Sequence, residues 1–160
     1  MIWLSCLCAL CGFVTGGFFV GTIVIRKYLM ELKSRKVFTE RLQYIIRVYD
    51  VWMMMKREGK SVEKYLQEHG INSIAIYGMS ELGNRLYQEL KDSLIEIKYG
   101  MDMNAGIQLK DLRVIRPKDN DENVDAVVVT ALTTFDDVKI GLRQKGYTNI
   151  LALDEILYNL

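Results

Sequence analysis

The sequence predicts an α/β protein: an N-terminal membrane helix and a helical linker, followed by a small parallel sheet of about five strands with flanking helices. Three observations carry this reading. No side chain from Met1 to Ile25 is charged. After Gly70, short β-branched runs alternate with amphipathic stretches, the pattern of strand–helix–strand units whose strands pair in parallel. Between the first such strand and its helix stands a glycine turn, Gly78-Met79-Ser80-Glu81-Leu82-Gly83.

The run "IWLSCLCALCGFVTGGFFVGTIVI" opens the chain. As a helix it is roughly 37 Å long, enough to cross a hydrocarbon core of about 30 Å with some tilt. A cleaved signal peptide is the rival, but it needs basic residues ahead of the apolar run, and only the terminal amine is there. Residues 1–25 are therefore expected to be a single transmembrane helix in the cell membrane. Gly12, Gly16, Gly17 and Gly21 have the small-residue spacing that lets two membrane helices approach, a route to a homodimer. Cys6, Cys8 and Cys11 all fall in this run, where neither zinc nor a disulfide is expected.

Residues 26–36, "RKYLMELKSRK", form a basic juxtamembrane segment that carries Arg26, Lys27, Lys33, Arg35 and Lys36 against Glu31. The positive-inside bias keeps the C-terminal domain in the cytoplasm. Taking this +4 segment from the chain's overall +1 leaves −3 for residues 37–160. A basic nucleic-acid surface is thus disfavoured, since the excess positive charge lies beside the membrane.

Residues 37–70 form the helical segment. Leu42, Ile45, Ile46, Tyr49, Trp52 and Met53 recur at spacings of three and four, marking one apolar helix face between Phe38 and Lys56. This face packs against a core or serves as a docking surface. Gly59 stops that helix. Ser61 caps a short second one, "VEKYLQEH", which ends at Gly70. His69 is the only histidine and alone supports neither a metal site nor a catalytic dyad.

Residues 71–160 hold the sheet. Strands are expected at "SIAIY" (73–77), "IEIKY" (95–99), "LRVI" (112–115), "DAVVVTA" (125–131) and "NILAL" (149–153). Helices are expected from about Ser80 to Leu90 and from about Phe135 to Lys145, the second closed by Gly146.

The glycine turn has the placement of a dinucleotide fingerprint, strand before and helix after. Gly78 suits the tight turn, and Gly83 suits close packing of helix on sheet. The middle glycine that lets backbone meet pyrophosphate is here Ser80, whose Cβ crowds that approach while its hydroxyl can donate to phosphate or cap the helix. Glu81 adds negative charge where an anion would sit. Asp102, at the end of the second strand, has the spacing of a ribose-binding acid, though an aspartate that caps a turn is an equal reading. Thr130, at the end of the fourth strand, completes a candidate cofactor-binding set of Gly78, Met79, Ser80, Glu81, Leu82, Gly83, Asp102 and Thr130, with NAD(P) or a nucleotide-sugar as ligand.

Other chemistries fail on placement. A nucleophile elbow needs a glycine where Leu82 stands, and a P-loop needs a Gly-Lys-Ser/Thr ending. Tyr87 and Lys91 have the spacing of a dehydrogenase tyrosine–lysine pair but sit on the first helix of the unit.

Through "IAIYGMSELGNRLYQEL", "IEIKYGMDMN", "VDAVVVTAL" and "GYTNILALDEIL", residues 71–157 resemble the Rossmann-like domains of bacterial surface-polysaccharide and capsule biosynthesis proteins. These include the CoA-binding-like domain of membrane sugar dehydratases and polyprenyl-phosphate sugar transferases, and the N-terminal domain of sugar acyltransferases. The resemblance implies a nucleotide-binding or nucleotide-sugar-binding module, or a regulatory one, attached to a catalytic partner. The expectation is a membrane-anchored, non-catalytic binding module of polysaccharide biosynthesis. The alternative is a ligand-free scaffold that recruits a polysaccharide-assembly enzyme.

Overall fold

The computed structural model describes the backbone of residues 2–104, 111–117 and 123–160, with side chains from Val24 onward. The first element, α1, runs without a break from Ile2 to Arg57. It passes through the expected boundaries at residues 25 and 36, because nothing between Ile2 and Arg57 breaks a helix: proline is absent, and the first glycine of positive φ is Gly59 at +74°. Among the described residues no helix is long and apolar enough to cross a membrane. The expected span, its glycine spacing and its cysteines rest on the side chains of residues 1–23, which lie outside the described residues.

The chain divides into two compact units, Met1–Ile46 and Arg47–Leu160. In the first, exposed α1 side chains form i,i+4 ion pairs, Arg35–Glu31 at 2.9 Å and Lys36–Glu40 at 3.9 Å.

The second unit opens with the last turns of α1, whose Val48 and Trp52 are buried. Then come α2 (Val62–Glu68), β1 (Ser73–Tyr77), α3 (Glu81–Leu90), β2 (Glu96–Met101), β3 (Val114–Ile115), β4 (Ala126–Val129), α4 (Phe135–Gln144), β5 (Ile150–Ala152) and α5 (Leu153–Tyr158). Ser61 caps α2, its hydroxyl accepting the Lys64 amide at 3.2 Å. Gly70, at φ +70°, ends the link to the sheet.

All strand pairs are parallel, in the order β3-β2-β1-β4-β5. The chain therefore builds outward from β1 to one edge, then returns to add β4 and β5 on the other side. The sheet order reverses beside β1, the place where open α/β sheets leave a crevice at their strand ends. β1 and β4 are buried along almost their whole length, as continuous apolar runs covered on both faces must be. One face packs Ala75, Tyr99, Met101, Val127 and Val129 with Leu142 of α4.

The strands after the first shift at their ends, two of them, β2 and β4, beside the glycine turn. The strand expected at 149–153 stops at Ala152, and Leu153 begins α5, a helix that the sequence pattern does not predict. Its Leu153, Ile156 and Leu157 are buried at helical spacing, but six residues are too few for periodicity to announce a helix. The fourth strand narrows to 126–129, so Thr130 stands just past its end.

Candidate functional site

Strand register assembles the site. Tyr77 lies beside Met101 on β2 and beside Val129 on β4. The next residue on each chain segment is therefore Gly78, flanked by Asp102 on one side and Thr130 on the other. The Gly78 amide donates to the Met101 carbonyl at 2.8 Å, and the Thr130 amide donates to that of Tyr77 at 2.8 Å.

The turn needs both of its glycines. Gly78 sits at φ +94°, and a Cβ there would stand 2.9 Å from the Thr130 hydroxyl and 3.1 Å from the Ala131 amide nitrogen. A Cβ on Gly83 would land on the Gly78 carbonyl oxygen. The first turn of α3 thus lies directly against the end of β1. The Thr130 hydroxyl faces the carbonyls of both Tyr77 and Gly78, filling the place where the sheet order reverses. Thr130 is the one buried polar residue of the described core.

Met79 and Asp102 close the other side. Asp102 Oδ2 accepts the Met79 amide at 2.8 Å, and Oδ1 accepts the Asn104 amide at 2.8 Å. Both oxygens of the expected ribose ligand are therefore engaged within the chain, the arrangement of a turn-capping aspartate. The Met79 side chain is fully buried and packs on Gly100 of β2, where a Cβ would approach its Cγ and Sδ to 2.9 Å. Beside this acid, Tyr77 has its phenol pKa raised, first by burial and then by the Asp102 charge.

Ser80 is exposed at the N-cap of α3, and its hydroxyl makes no capping bond. Glu81 is exposed in the first helical turn, while Leu82 is buried. Asn84, one residue past the turn, has its Oδ1 buried without a partner. The structure thus brings all eight predicted residues to one place, with Ser80 and Glu81 on its surface and Met79, Leu82 and Thr130 beneath.

A second polar constellation is one that sequence reasoning missed. Glu89 of α3, with its side chain only 8% exposed, accepts the Trp52 indole N–H at 2.8 Å and stands 3.0 Å from Lys56 Nζ. The available signal is an acid within the apolar stripe of α3, three residues after Leu86 and seven after Leu82. Of the expected docking face, Trp52 is buried by this tie, Tyr49 is half-buried, and Met53 is 67% exposed. His69 stacks on Tyr65, its Nδ1 lying 2.7 Å from the Tyr65 carbonyl. Among the described residues no group of acidic, histidine or cysteine side chains is placed to hold a metal.

The five-stranded parallel sheet, its flanking helices and the glycine turn at the point of reversal define a Rossmann-like α/β fold. The chain matches no family model, no curated protein and no solved structure.

Proposed function

We propose that this chain is a non-catalytic scaffold with a Rossmann-like domain whose nucleotide loop is closed by its own residues, and that it recruits an enzyme of surface-polysaccharide assembly. In this reading residues 1–25 anchor it in the cell membrane with the domain on the cytoplasmic side. The sequence resemblance supplies the setting. The observation that carries the scaffold role is the Asp102–Met79 hydrogen bond. A dinucleotide needs the turn's amides for its phosphates and the acid for its ribose. Here one of those amides and the acid are used on each other, above a buried Met79 side chain.

The second reading, a nucleotide or nucleotide-sugar binder using NAD(P) or a sugar nucleotide, is supported by two features. The Ser80 hydroxyl makes no capping bond at the head of α3, and the Asn84 carbonyl oxygen next to the turn has no partner. Thermal shift of the full chain with NAD, NADP and a uridine-diphosphate sugar separates the two. A ligand at 100 times its Kd adds about 2.7 kcal/mol to stability. The scaffold reading expects no saturable rise in Tm, and none after Ser80→Gly, which removes the crowding Cβ. A saturable rise in either protein overturns it.

A further inference from the structure

A cleft of about 540 Å³ lies away from the glycine turn, walled by Tyr49, Trp52, Met53, Lys56 and Arg57 of α1 and by Arg85 and Glu89 of α3. All seven belong to the unit 47–160. Its volume falls in the range of small-molecule sites, about 300–1,000 Å³.

The cleft has a charged part and an apolar part. Glu89 is its only carboxylate, and that group is turned inward, held by the Trp52 indole and the Lys56 ammonium. Arg57 and Arg85 are exposed and have no ion-pair or hydrogen-bond partner among the described residues. Three cations against one neutralised acid leave two guanidinium charges without a counter-charge. Beside them, Tyr49 and Trp52 stack nearly parallel, with ring centroids 6.3 Å apart, and Met53 stands open to solvent.

A ligand that satisfies both parts carries two negative charges on forked oxygens and an apolar arm. Guanidinium groups favour such oxyanions through paired N–H donors, and a phosphate monoester carries about −1.5 to −2 at neutral pH. Methionine and aromatic side chains adapt to an apolar arm of variable shape. We propose that this cleft binds a phosphate monoester bearing an apolar arm, with Arg57 and Arg85 holding the phosphate and Tyr49, Trp52 and Met53 holding the arm. The inference uses no residue of the glycine turn and stands whether that turn is closed or open.

The test uses the full chain carrying Trp3→Phe, which leaves Trp52 as the sole tryptophan. Octyl phosphate should shift Trp52 emission saturably, while octanol and inorganic phosphate, each supplying half of the recognition, should bind more weakly. The double variant Arg57→Gln/Arg85→Gln, altered only at exposed positions, should lose about tenfold or more in affinity with its Tm unchanged. Met53→Glu, which places a carboxylate at the mouth, should weaken binding independently. Equal affinity in the double variant, or no saturable shift with octyl phosphate, overturns the proposal. Phosphatidylcholine vesicles with and without phosphatidate separate the two sources of the same chemistry. An arginine-dependent preference for phosphatidate assigns a lipid headgroup; octyl phosphate binding without that preference assigns a soluble ester.

Discussion

Asp102 Oδ2 lies 2.8 Å from the Met79 amide nitrogen, so an acid at the end of β2 satisfies an N–H of the turn that follows β1. The pairing follows from register: Met101 sits beside Tyr77, so one residue beyond β2 and two beyond β1 bring the two groups together. A residue placed like a ribose ligand thereby acts as a structural cap on the neighbouring strand's loop.

The first prediction tests that role. Asp102→Ala leaves the Met79 amide without an acceptor and should cost about 1–3 kcal/mol in urea unfolding. Asp102→Asn keeps an acceptor oxygen and should cost less. An aspartate serving a ligand alone would leave unfolding of the ligand-free protein unchanged in both variants.

Two glycines should respond in opposite directions. Gly83→Ala places a methyl on the Gly78 carbonyl, a backbone atom that cannot move aside, and should destabilise by about 3 kcal/mol or more. At Gly141, inside α4, an added methyl would meet no atom within 4 Å. Gly141→Ala should raise stability by about 0.5–1 kcal/mol through helix propensity. Melting temperatures of the two variants decide both points.

The pH dependence of stability should report on Asp125. The backbone amides of Asn72 and Ser73 donate to its Oδ2 at 2.9 and 2.8 Å and hold its carboxyl below the ordinary carboxylate range. A lowered folded pKa means that the carboxylate's contribution is complete above the unfolded pKa of about 3.9 and is lost as pH falls through the folded value. The wild type should therefore lose more stability than Asp125→Asn as pH drops below about 4. Parallel acid profiles for the two proteins would assign the loss to other groups.

Topology can be read with fusions. Since Arg26, Lys27, Lys33, Arg35 and Lys36 favour the cytoplasmic side, a reporter fused after Leu160 should be active only as a cytosolic one. Alkaline phosphatase activity from the same fusion would reverse the orientation.

Much of the sheet is legible in the sequence because its strands are short apolar runs bounded by turn residues. "SIAIY" is β1 to the residue, and Gly59, Gly70, Gly78 and Gly146 all adopt the positive φ that makes glycine a stop signal. The second and third strands differ by one or two residues at their ends, where hydrogen bonding to neighbours rather than composition sets the limit. Spacing alone brings Asp102 to the turn, and its place at the end of a strand brings Thr130 there. Neither reveals that their partners are Met79 and Gly78, because those contacts depend on parallel register across β1, β2 and β4. The Trp52–Glu89 tie stays hidden for a similar reason. Its members are 37 residues apart, and only the fold of the chain between them brings them together.

Gly100 and Met79 are packed closely: a Cβ at position 100 would stand 2.9 Å from the methionine's Cγ and Sδ. An alanine or serine at 100 must push the end of the Met79 side chain aside or face a shorter residue there, whereas a glycine at 100 facing a short residue at 79 leaves a hollow under the turn. The sizes of this pair of residues thus set whether the floor beneath the loop is filled or vacant.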